Sequence, residues 1–311
     1  GRTYTQVAAG AWHTVLLRSD GTAVAFGANR HDQCHVPALD GGLSYAQVAA
    51  GSGHTVLLRS DGTAVACGWN SYGECNVPAL DGGLSYTQVA AGFLHTVLLR
   101  SDGAAVACGA TVDGQCDVPA LDGSLTYTWV AAGCLHTVLL QSNGMAVAFG
   151  ENGHGQCDIP ALEGRLSYTQ AAAGSFHTVL LRSDGTALAC GGNVDGQCDV
   201  LALDGDLIYT QVAAGELHTV LLRDDGMAVA CGANGHGQCD LPPLEEGLSY
   251  TQVAAGHTVL LRSDGTAVAC GDNAFGQCAV PALDGGRTYT QVAAGAWHTV
   301  LLRSDGSAVA C

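Results

Sequence analysis

A chain of 311 residues with 48% hydrophobic side chains carries enough apolar material for a substantial core, which excludes a disordered polymer. Its 28 acidic residues face only 11 basic ones, all arginine, and the resulting net charge of −17 excludes a general affinity for nucleic acid or anionic membrane surfaces. With 44 glycines, 6% aromatic and 13% charged residues, the composition favours tight turns and thin, closely packed strands over long surface helices.

Internal repetition dominates the sequence. The histidine of the pattern A-A-G-x-x-H-T-V-L-L recurs at His13, His54, His95, His136, His177, His218, His257 and His298, in steps of 41 residues apart from one of 39. The short step ends at His257, which follows Gly256 directly because the two variable residues are deleted. The units run approximately over 1–41, 42–82, 83–123, 124–164, 165–205, 206–246 and 247–285, with a partial unit at 286–311, and no linker divides them into separate domains. A period of this size belongs to propellers, solenoids or arrays, whose units bury their apolar faces only against one another.

The elements of one unit follow from residues 45–81. "YAQVAAG" predicts a short strand whose alanines suit a crowded position. "HTVLLRS" predicts a middle strand, because Val56, Leu57 and Leu58 are consecutive rather than alternating, as expected where both sheet faces are covered. Asp61-Gly62 then reads as a two-residue hairpin loop with both residues at positive φ, leading into the strand "TAVACG". "NSYGECNVPAL" closes the unit with a loop and a weak outer edge strand, the position Pro78 tolerates best. Three firm strands and a weak fourth in 41 residues make an all-β chain with the blade of a β-propeller, a β-solenoid being the alternative. Eight three-strand cores accompany seven G-Q/E-C segments, so eight blades are expected rather than seven, which would leave one Val-Leu-Leu strand set uncovered.

The unit as a whole resembles the regulator of chromosome condensation repeat, with G-x-x-H, a strand, Asp-Gly, a second strand and a G-x-N-x-x-G-Q turn in the same order, as in "AAGELHTVLLRDDGMAVACGANGHGQC" from Ala213 to Cys239. The resemblance covers essentially the whole chain. It implies a propeller, usually of seven blades, that serves as a guanine nucleotide exchange factor, a photoreceptor or a protein-binding module. The near absence of insertions leaves no counterpart of an exchange factor's protruding wedge. Trp12, Trp69, Trp129 and Trp297 occupy three different repeat positions, unlike the clustered tryptophans of the photoreceptor branch. A non-enzymatic protein-interaction scaffold is therefore the expected function, with an exchange factor for a small GTPase and a structural subunit of a larger assembly as alternatives.

Eight repeated histidines invite a metal or acid–base reading. One per blade places them on a ring, so each is expected to be structural, bonding a backbone group of its own blade, with no metal and no cofactor. The 14 cysteines include five C-x7-C pairs, but Phe26 and Phe149 replace the first member while Cys34 and Cys157 persist, which points to free packing thiols and a reducing compartment. No membrane span or leader is visible, and an intracellular location, cytoplasmic or nuclear, is expected. P-loop, H-E-x-x-H and G-x-S-x-G motifs are absent. The repeated arginines Arg18, Arg59, Arg100, Arg182, Arg223, Arg262 and Arg303 are expected to pair with repeat carboxylates such as Asp20 and Asp61, or to form a ring for an acidic ligand. Recognition of a protein partner is assigned to the two residues before each histidine and to the loop before G-Q-C, which vary between units. The candidate binding residues are Trp12, Arg30, His31, Trp69, Tyr72, Phe93, Phe176, Phe275 and Trp297.

Overall fold

The computed structural model describes residues 3–311. The chain forms eight three-stranded antiparallel sheets, each built from consecutive strands, and these are blades 1 to 8 in chain order. Blade 1 consists of Tyr4–Ala9, His13–Arg18 and Ala23–Gly27; blade 8 consists of Tyr289–Ala294, Thr299–Arg303 and Ala308–Ala310. First strands of successive blades surround a central axis, and the middle strands are the most deeply covered. Val56 and Leu57 are fully inaccessible and Leu58 nearly so, because each blade is packed on both faces.

The core is a ring of wedges, each shared by two blades. Between blades 1 and 2, Val15 and Leu17 meet Tyr45, Val48 and Leu57. The same arrangement recurs around the molecule and closes it: Val7 and Leu16 of blade 1 pack against Val300 and Leu302 of blade 8. A backbone bond spans that closure, from Tyr4 N–H to Gly306 C=O at 2.7 Å. The eighth sheet thus occupies a blade of its own, in a ring of eight.

Two local expectations change. The hairpin loop holds three residues rather than two: Gly21 N–H bonds Arg18 C=O at 2.9 Å, and only the glycine adopts positive φ, at 77°. This is a type I turn followed by a left-handed residue, and the Asp20 carboxylate stabilises it by accepting from Thr22 N–H at 3.0 Å. Among the described residues no blade has a fourth strand. The segment after each third strand folds as a loop in which Asn29 Oδ1 accepts from Cys34 N–H at 2.8 Å. That loop then descends along the junction with the next blade, where Pro37 C=O accepts from Tyr45 O–H at 2.7 Å. Its groups bond within the loop and, through the Gln33 and Pro37 carbonyls, to side chains of the following blade, so a ladder partner for a fourth strand is not needed.

Candidate binding face

The repeat histidine is a joint between blades. His13 Nε2 lies 2.9 Å from Thr55 Oγ1, and Thr55 Oγ1 donates to Gln33 C=O at 2.7 Å. A hydroxyl has one proton, and a carbonyl only accepts, so the imidazole donates through Nε2–H and is the Nε2-protonated tautomer. The same link runs His54–Thr96, His95–Thr137, His136–Thr178, His177–Thr219, His218–Thr258 and His257–Thr299, and His298–Thr14 closes the circle at 2.9 Å. The expectation that each histidine bonds a backbone group within its own blade is thereby corrected. His and Thr are adjacent on one strand and point to opposite sheet faces, so one reaches the next blade while the other receives the previous blade's histidine.

Burial away from water, reinforced by the neighbouring histidine, lowers the His54 imidazole from 6.5 to about 4 and His95 to about 3. These rings are neutral carpentry at physiological pH. Close approach of the blades is set by glycine: a Cβ on Gly51 would lie 2.5 Å from Gly92 C=O and 2.3 Å from His54 Cε1. A second belt stitches the first strands together, with Gln6 Oε1 accepting from Val48 N–H at 2.8 Å and Gln291 Oε1 accepting from Val7 N–H at 3.2 Å across the closure. Trp129 replaces this glutamine in blade 4 and donates its indole N–H to Ala171 C=O at 3.3 Å.

The two ends of the central axis differ. One opens into a cavity of about 860 Å³ lined by repeated threonine and glutamine, including Gln170, Gln211, Gln252 and Gln291. The other is a funnel of about 680 Å³, ringed by the Ala-Ala-Gly turns and by the variable residues Trp12, Ser52, Phe93, Cys134, Ser175, Glu216 and Trp297. The variable residues that precede the repeat histidine are thus gathered around one opening.

The structure brings only some of the sequence-selected residues together. Trp12 and Trp297 stack at 5.7 Å between ring centroids, and Phe275 meets Trp297 edge-on at 5.6 Å, joining three of them at the junction of blades 8 and 1. His31 and Trp69 form an edge contact at 4.1 Å between blades 1 and 2. Phe93 stands on the funnel rim and is half exposed; Phe176 contacts His154, while Tyr72 is exposed and Arg30 joins no aromatic cluster. Glu216 and His236 fall at positions assigned to recognition without being among the named candidates, whereas Phe26 and Asp272 fall outside them; Glu216, His236 and Asp272 line the funnel. Phe26 was read as a packing position, yet it is 55% exposed.

Every cysteine is free. The C-x7-C members do different work: Cys67 Sγ lies 3.8 Å from Gln33 C=O of the preceding unit, whereas Cys75 Sγ donates to Trp69 C=O at 3.4 Å. Burial raises the Cys67 thiol to about 11, which makes it a poor nucleophile. Arg182 pairs with Asp184 at 2.8 Å, and Arg100 with Asp102 and Arg223 with Asp225 repeat that local pairing, which occupies cations otherwise available to an acidic ligand. Among the described residues, no three His, Cys, Asp or Glu side chains converge on a common point.

Eight radial sheets, an inter-blade histidine belt and a variable funnel define a closed β-propeller built from one tandem repeat. The chain belongs to the regulator of chromosome condensation (RCC1) repeat family, whose model matches residues 4–33, 45–74, 86–115, 168–197, 209–238 and 251–277. Blade 4 lies outside the matched segments, and there Trp129, Gln141, Asn143 and Phe149 depart from the common unit. No curated protein matches the chain. Among solved structures it is similar to human WBSCR16, at TM-score 0.67 and 18% identity over 82% of this chain and 85% of that one. It is also similar to Prp20p of Saccharomyces cerevisiae, at TM-score 0.65 and 20% identity over 90% and 83%. A third likeness is to the CRINKLY ectodomain of the Arabidopsis thaliana receptor kinase ACR4, at TM-score 0.60 and 17% identity over 84% and 93%. At these identities the likeness, carried by the TM-scores, is one of fold.

Proposed function

We propose that this chain is a non-enzymatic protein-binding module that engages its partner through the funnel face. The observation that carries this reading is the sorting of variation: residues differing from unit to unit surround one axial opening, while the opposite opening is lined by repeated threonine and glutamine. Exposed Trp12, Phe93 and Phe275 supply rigid apolar contact area, and Glu216 and Asp272 add negative charge. A partner surface combining apolar and basic side chains fits that chemistry. Prp20p, which has this fold, is described as binding Gsp1p and histones, which supports protein recognition as a use of such a ring.

The test compares two sets of variants in affinity capture with quantitative mass spectrometry. A Trp12→Ala/Phe93→Ala/Phe275→Ala variant is expected to lose at least ten-fold in recovery of specific partners, while Gln170→Ala/Gln211→Ala on the opposite face retains them. Equal retention by both sets overturns the reading. A nucleotide-release assay on a small GTPase is expected to show no acceleration, and acceleration would replace the scaffold reading with exchange.

A further inference from the structure

The funnel is not symmetric about its axis. In blades 2 to 5 its wall is the Ala-Ala-Gly turn and the one variable residue that follows, whereas at blades 6 and 7 it runs outward to Leu217, His218, His257 and the loop residues His236, Gln238 and Asp272. The cause is the 39-residue step: blade 7 lacks the two residues that separate glycine from histidine in every other unit, and Gly256 leads directly into His257. Two differences show what that pair covers elsewhere. The glutamine or glutamate of the G-Q/E-C loop is 0–2% exposed in six units, but Gln238 is partly exposed. In seven blades a Cβ on the turn glycine would meet its own histidine within 2.9 Å. On Gly256 the three nearest atoms all belong to blade 8, the closest at 2.2 Å, so the His257 ring lacks its glycine cap.

The resulting notch is rich in acceptors. Glu216 is exposed and Asp272 partly exposed, and neither has an ion-pair partner among the described residues, where the paired arginines bond to other aspartates. Among the described residues no arginine lines the funnel. Asp272 Oδ1 accepts one local bond, from Ala274 N–H at 2.8 Å, which leaves its second oxygen available. His257 is 3% exposed, and its Nε2–H is committed to Thr299, because Thr299 Oγ1 gives its own proton to Gln277 C=O. The Nδ1 lone pair of His257, at the buried end of the notch, has no hydrogen-bond partner. Gln238 Oε1 accepts from His236 N–H at 3.0 Å, and its amide nitrogen is free to donate.

We propose that this notch binds an arginine side chain of the partner protein. A planar guanidinium carries five N–H donors in a fixed fork, so it meets carboxylates held on two different blades at once, with His257 Nδ1 as a third acceptor behind them. The Gln238 amide donates to a backbone carbonyl of the same segment. The placement rests on the funnel-face reading and names the one radial direction in which that face takes in a long basic side chain. Deleting two residues thus turns a covered joint into a recognition pocket.

The probe is N-acetyl-arginine methylamide, titrated at pH 7 into the 311-residue chain and followed by NMR at the Gln238 side-chain amide and the His257 imidazole. Saturable shifts at both are expected, with none from the neutral citrulline analogue and weaker binding of the lysine analogue. Glu216→Gln/Asp272→Asn should weaken binding by about five-fold or more. Asp81→Asn/Asp122→Asn, which removes the same charge from exposed loop positions, should leave it unchanged. Inserting Ser-Gly between Gly256 and His257, the pair that precedes His54 in blade 2, should restore the cover and abolish the shifts at Gln238. Absence of saturable shifts, equal affinity of the citrulline or lysine analogue, or equal weakening by both double variants overturns the proposal. So does an insertion variant that folds and binds as before. Because the probe reads the notch without the partner, loss of arginine binding and retention of partners by Trp12→Ala/Phe93→Ala/Phe275→Ala are separate failures, the first of this proposal and the second of the funnel-face reading.

Discussion

At the scale of single residues, the His–Thr joint makes the ring sensitive to acid. Each histidine titrates near 6.5 in an unfolded chain, whereas burial holds His13, His54, His136, His177, His218 and His257 at about 4. The unfolded state therefore binds more protons between those values. Stability is intact above about pH 6.5 and falls as pH drops toward 4, by up to about 3 kcal/mol per histidine. The turn carboxylates Asp61, Asp102, Asp184 and Asp264 are held below 3.8, so their protonation acts at lower pH and leaves this window to the histidines. Urea unfolding at pH 7, 6 and 5 is expected to show a steep loss of stability. His95→Gln, whose amide can still donate to Thr137, should flatten that slope by about one proton. An unchanged slope would remove the histidines as its origin. The structural role of the histidine was legible in its perfect repetition. Its partner was not identified, although the invariable threonine beside it and the two-sided burial of the strand together specify a link running from blade to blade.

At the scale of elements, strand identity was legible and junction geometry was not. The consecutive Val-Leu-Leu run marks a strand covered on both faces, and Asp-Gly marks its hairpin, because these depend on local pattern. The loop that replaces the expected edge strand is different in kind. Its proline carbonyl and its glutamine carbonyl bond to residues of the next unit, and no pattern within one unit encodes them. Glycines at the junctions divide accordingly. Gly51→Ala drives a methyl group into Gly92 C=O and His54 and is expected to cost at least 3 kcal/mol or to prevent folding. Gly41→Ala meets nothing within 4 Å and should cost only about 1 kcal/mol for its positive φ of 66°. Asp32 holds the one non-glycine left-handed conformation among the described residues, where other loops place glycine, so Asp32→Gly should gain about 0.5–1 kcal/mol. Denaturant midpoints of the three variants test this ranking, and a Gly51→Ala protein as stable as Gly41→Ala would contradict the close-approach account.

At the scale of the whole molecule, stability depends on closure. Every blade offers two apolar faces, so an open arc of any length exposes one face at each end, and only a complete ring removes both. Here the last blade supplies Val300 and Leu302 to Leu16 and Val7, and Tyr289 and Val292 to Val259 and Leu261 of blade 7. Removing residues 286–311 strips both faces at once. Rejoining blades 7 and 1 would then require each remaining junction to open by about 6°, as the mean angle between blades rises from about 45° to about 51°. The glycine–carbonyl approaches and the histidine–threonine belt are set for the smaller angle, so that adjustment would loosen all the joints together. The shortened chain is expected to bind a hydrophobic dye, to self-associate in size-exclusion chromatography and to unfold over a broader, lower-temperature range than the 311-residue chain. A monodisperse seven-bladed monomer with an unchanged, cooperative transition would show instead that the junctions tolerate the wider angle, and that the eighth blade closes the ring without being needed for it.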